Sequence, residues 1–120
     1  MSLKVIHASL ASVTAAAGFA LVVSAGWATY RRSASSIRLV LLVRRAAIIA
    51  ALLAGAAGVL LLVTGHRPHA LLHVMYGVFA LLTVPFAATL AARNPQRGGV
   101  YHLVAGILLL GLAFRLAATG

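Results

Sequence analysis

The sequence predicts an all-α fold, a transmembrane antiparallel four-helix bundle, and three observations predict it. Four apolar runs fill most of the 120 residues, and each is long enough to cross a bilayer, which takes about 20 apolar residues in a helix. The composition is 63% hydrophobic and 8% charged, whereas a soluble domain carries about a quarter charged residues. The segments between the runs are short and rich in Arg, Pro and Gly. Residues 1–120 therefore read as a single integral membrane domain.

The first span is read at residues 5–28. A signal peptide is the competing reading, because Lys4 precedes the run and Ser24-Ala25-Gly26 would suit cleavage. The run exceeds the 7–15 residues of an ordinary signal core, and Arg31-Arg32 follows it as an anchor would. The connection that follows carries Arg31, Arg32, Arg38, Arg44 and Arg45. Its apolar stretch, residues 36–45, either extends the next helix or lies in the membrane interface. The second span is read at residues 46–64. Gly65-His66-Arg67-Pro68-His69 is a tight turn, with Pro68 suited to the start of a helix. The third span is read at residues 70–92, kinked at Pro85. Residues 93–99 form the last turn, where Asn94, Pro95, Gly98 and Gly99 oppose helix. The fourth span is read at residues 100–118. All four should be helical, because an isolated strand cannot satisfy its backbone in lipid.

What is missing narrows the chemistry. The chain has no Asp or Glu, which excludes glycosidase carboxylate pairs, aspartyl dyads, Asp-supported triads and proton relays through carboxylates. It has no Cys, which excludes disulfides, thiolate nucleophiles and iron–sulfur clusters. The formal net charge is +10. The basic residues sit beside apolar runs, so they read as topology signals and as partners of anionic lipid rather than of nucleic acid. Acidic partner subunits or a homo-oligomer are the other expected contacts, since no acidic side chain of this chain can meet its arginines.

Seven of the basic residues fall on one side of the spans, the five of the first connection with Arg93 and Arg97. Lys4 and Arg67 fall on the other, with Arg115 inside the last span near that side. The positive-inside rule puts the seven in the cytoplasm and both termini outside, as a multi-pass protein of a bacterial inner membrane. Trp27, Tyr30 and Tyr101 then mark the inner interface.

Small residues should mark the helix contacts, because lipid tails offer helices no hydrophobic reason to associate. Each span has such a stripe: His7, Ala11, Thr14 and Gly18; Ala51, Gly55 and Gly58 beside Ala50 and Ala54; His73, Gly77 and Ala80; His102, Ala105 and Gly106.

Five histidines are the candidates for chemistry. His7 and His73 lie about 3–5 Å below their helix starts at 1.5 Å per residue, on the outer side and on small-residue faces. Two imidazoles at one depth on facing helices can be opposing axial ligands of a haem iron, and Arg67, Arg115 and Lys4 are cations that could meet its propionates. The simpler reading makes both histidines interhelical hydrogen-bonding residues with no iron between them. His66, His69 and His73 have a spacing that suggests zinc or copper, with His66 and His69 the weaker ligand candidates; the glutamate of a metalloprotease is missing. His102 reads as an interfacial residue beside Tyr101, a membrane thickness away from the other pair. Arg115 either snorkels to headgroups or faces an acidic ligand.

His66-Arg67-Pro68, His73-x2-Tyr76-Gly77 and the ending Phe114-Arg115-x3-Thr119-Gly120 resemble a group of small, uncharacterised four-span bacterial membrane proteins. The resemblance covers about half the chain and implies the four-span layout without an activity. At fold level the bundle is similar to b-type haem membrane cytochromes, an analogy resting on two histidines and a helix count. The expected function is a small membrane subunit or binding module with an outer-leaflet haem b site for electron transfer. The alternatives are a cofactor-free structural or assembly subunit and, with less in its favour, a small-molecule transporter.

Overall fold

A computed structural model describes residues 1–68 and 71–119. His69, a candidate metal ligand, Ala70, the expected start of the third span, and Gly120 lie outside the described residues. Four long helices run α1 (Leu3–Arg31), α2 (Ala34–Val63), α3 (Leu71–Arg93) and α4 (Gly98–Thr119), with one 3₁₀ turn, Pro95–Arg97, before the last. All four are long and apolar enough to span a membrane, and the chain is a multi-pass membrane protein.

The bundle measures 48 × 25 × 20 Å. The helices alternate in direction, so the starts of α1 and α3 and the ends of α2 and α4 meet at one end. There His7 touches Ala54 and His73 touches Thr119. The opposite end gathers the arginines of the first connection with Arg93 and Arg97. α1 packs along both α2 and α4, and α4 also packs along α3. α2 and α3 meet over a shorter stretch, and the backbones of α1 and α3 nowhere come within 8 Å among the described residues. α1 and α3 are therefore diagonal.

The core is built from small residues, as the stripes predict. Ala25, Ala47, Ala105, Leu21 and Leu109 are fully buried or nearly so, while Phe19, Phe79, Phe86 and Phe114 face outward. Backbones approach most closely at α1–α4. A Cβ on Gly106 would stand 2.9 Å from the Gly18 carbonyl and 2.8 Å from Val22 Cγ2. On Gly99 it would collide with Thr29 Oγ1. Larger residues there would hold the helices apart, and close approach is how membrane helices gain packing energy.

The element ends differ from the expected spans, and α2 most of all. The stretch at residues 36–45 continues α2 rather than lying along the interface. Ser33 and Ser36 form a reciprocal capping box that starts the helix at Ala34, a dozen residues before the apolar run. At 30 residues α2 is about 45 Å long, against about 30 Å of hydrocarbon, so its first turns reach headgroup depth. α1 also extends both ways: Ser2 caps its start, and it ends only at Arg32, whose φ of 49° is left-handed. Gly98 and Gly99, expected in the last turn, are the first residues of α4. Glycine is tolerated there because Gly99 sits against Thr29, where any side chain would be excluded. α3 runs unbroken through Pro85.

Candidate functional site

The histidine end is assembled from all four helices. His7 sits in the second turn of α1, above Ala11 and Thr14 on the inward stripe, and is half-buried. Its Nδ1 is 3.0 Å from the Ala54 carbonyl on α2. A carbonyl only accepts, so Nδ1 carries the proton and Nε2 keeps its lone pair. Gly58, one turn farther along α2, makes room for the ring: a Cβ there would stand 3.1 Å from His7 Cε1. Ala54 and Gly58 thus hold this imidazole by a bond and a gap.

His73, in the first described turn of α3, is also half-buried. Its Nδ1 lies 3.4 Å from Thr119 Oγ1 near the end of α4. The Thr119 hydroxyl donates to the Arg115 carbonyl at 2.8 Å, so its oxygen is free to accept from His73 Nδ1–H. The Ala54 carbonyl fixes the tautomer of His7, and the Thr119 arrangement suits the same tautomer at His73. The two ring centroids are 6.1 Å apart with planes inclined by 63°. Long side chains thus bridge a diagonal that the backbones leave open. One turn below His73, a Cβ on Gly77 would meet nothing within 4 Å.

The cations expected here are placed less closely. Lys4, Arg67 and Arg115 are all exposed. Arg115 lies one turn before Thr119, on the helix that supports His73. His66 is exposed and turns back onto its own loop, with Nδ1 3.4 Å from Thr64 Oγ1. No group of three or more metal-ligating residues forms among the described residues.

The arginine end differs from expectation in two respects. His102, read as an interfacial residue beside Tyr101, is buried among the helices, only 3% exposed, because it falls on the α4 stripe with Ala105 and Gly106 that packs into the bundle. Its Nδ1 donates to the Gly98 carbonyl at 2.7 Å, and its Nε2 has no partner. Beyond it, a cleft of about 590 Å³ opens where the end of α1, the start of α2 and the α3–α4 connection converge. Arg32, Gln96 and Arg97 supply its polar wall, and Ala28, Ile37 and Val100 its apolar one. The sequence showed arginines at this end but not their convergence, which depends on α2 starting at Ala34. The helix ends at Arg32-Ser33 and Asn94-Pro95 were the available signal.

Fold and site together define a small four-helix membrane bundle with a paired-imidazole end and an arginine-lined end. No protein-family model, curated protein or solved structure matches the chain.

Proposed function

We propose that this chain is a small subunit of a bacterial inner membrane, with both termini outside, that holds haem b between His7 and His73 and serves electron transfer. One observation carries the reading: two imidazoles on diagonal helices stand 6.1 Å apart between ring centroids, each with Nδ1 engaged by the protein. Two nitrogen–metal bonds of about 2 Å and two ring radii together span about 6 Å, so the two rings would have room to hold one metal ion between them. The support of Nδ1 by a backbone carbonyl or hydroxyl is the usual outer shell of a metal-bound histidine, and it needs no carboxylate. When bound, haem would supply a one-electron iron couple. The protein's part is to hold both rings in one tautomer, to leave space beside Gly77, and to offer Lys4, Arg67 and Arg115 to the propionates.

A second reading is a cofactor-free structural or assembly subunit whose cations meet acidic partner subunits. The same hydrogen bonds favour it, since they already join α1 to α2 and α3 to α4 without a guest.

Absorption spectroscopy separates the two. Protein expressed with ample haem, purified in detergent and reduced with dithionite should show a Soret band and split visible bands. His7→Ala and His73→Ala should each remove at least nine-tenths of that absorbance. A colourless wild-type preparation whose thermal stability still falls on His7→Ala supports the structural reading.

A further inference from the structure

We infer that the cleft at the arginine end is a binding site for one anionic phospholipid, whose phosphate is held between Arg32 and Arg97. The inference is independent of what the histidine end holds.

The first argument is charge. Arg32 and Arg97 both line one cleft, and the chain contains no Asp or Glu to neutralise either. Their counter-charge has to come from outside the chain. Gln96, on the same wall, adds a neutral amide donor. A guanidinium offers a fixed fork of N–H groups that suits phosphate oxygens.

The second argument is the backbone at Arg32. This is the only non-glycine residue with positive φ among the described residues, at 49°. Left-handed helix ends are ordinarily glycine, sometimes asparagine, because a Cβ is crowded there. Arg32 stands in that conformation and lines the cleft. Gly99, facing Thr29, lets α4 approach α1 closely enough to bring Arg97 to the same cleft.

The third argument is depth, and it selects a membrane lipid over a free anion. Trp27 and Tyr30 are exposed on α1 within the last turn and a half before Arg32, their rings 6.3 Å apart, and Arg31 lies over the Trp27 ring at 4.9 Å. Exposed Trp and Tyr occupy the headgroup level of a bilayer. The cleft therefore opens where lipid phosphates are, and Ala28, Ile37 and Val100 provide an apolar wall toward the acyl chains.

Native mass spectrometry of the full chain in neutral detergent tests this. The probes are phosphatidylglycerol, phosphatidylcholine and inorganic phosphate. One phosphatidylglycerol should be retained per chain, at least tenfold in preference to phosphatidylcholine, and inorganic phosphate should not displace it. Arg32→Asn, which keeps a residue tolerant of the left-handed conformation, and Arg97→Gln should each weaken retention at least tenfold. Arg38→Gln with Arg45→Gln removes two charges at the same end but outside the cleft, and should leave retention within twofold. Equal losses in that control would mean diffuse attraction and overturn the site. Displacement by inorganic phosphate would overturn the lipid assignment, and unchanged retention in both cleft variants would overturn the proposal outright. Should Arg32→Asn fail to fold by circular dichroism, Arg97→Gln and Arg97→Lys decide the matter, with partial retention expected only for lysine.

Discussion

At the scale of single residues, glycines divide into those that let helices meet and those that do not. Gly106 has no room for a Cβ beside Gly18 and Val22, whereas a Cβ on Gly111 would meet nothing within 4 Å. Gly106→Val should therefore push α1 from α4 and cost about 1–3 kcal/mol, the usual range for overpacking. Gly111→Ala should be neutral or stabilise the helix by up to about 1 kcal/mol. Thermal unfolding in detergent, followed by circular dichroism, checks both. Positions of this kind were partly legible in the sequence, because Gly18 and Gly106 stand on small-residue stripes. Depth was legible too: His7 and His73 were expected at one level and do lie together. The burial of His102 follows from its place on the fourth stripe. Its place beside Tyr101 near a helix start suggests an interface, and the inclusion of Gly98 and Gly99 adds two residues, about half a turn, before it in α4. Pairs of glycines oppose helix in isolation, and tertiary contact with Thr29 overrides that preference here.

At the scale of elements, α2 owes its length to a cap. Ser33 accepts from Ser36 N–H at 3.3 Å, and the Ser36 hydroxyl accepts from Ser33 N–H at 3.2 Å. Ser33→Ala should cost about 0.5–2 kcal/mol, in the range of lost N-caps. The loss should be local. Hydrogen exchange should speed up across the first three turns of α2 while the apolar run stays protected. Those turns carry Arg38 and Arg44, and no hydropathy pattern fixes their conformation, which is why residues 36–45 admitted two readings from sequence. A reciprocal serine cap decides between them. It is visible in the sequence as a pair of serines three apart, but unremarkable among neighbours that include Ser35.

At the scale of the whole molecule, the surface is inverted relative to a soluble bundle, with alanine and glycine dominating the interior around Leu21, Val84 and Leu109 and most of the large apolar residues outside. That arrangement followed directly from composition and run length, so the four spans and their alternation were the most legible part of the fold. Their orientation is an electrostatic matter. Seven basic residues at one end against two beyond the other favour the arginine end in the cytoplasm. A reporter enzyme that works only outside the cytoplasm, fused to the end of α4, should be active, and the same reporter placed in the Arg93–Arg97 turn should be silent. The reverse pattern would invert both leaflet assignments.

The neighbour relations set an order of assembly. α4 is the principal partner of α3 and one of the two partners of α1, yet it is the last of these helices to leave the ribosome. Until it inserts, the α1–α2 seam is the one long helix contact formed, and α3 waits in lipid with little more than a short seam on α2 to hold it. The Gly18–Gly106 approach then joins the earliest-made helix to the latest. Maturation of this protein is accordingly a single late closure rather than a stepwise accretion of hairpins.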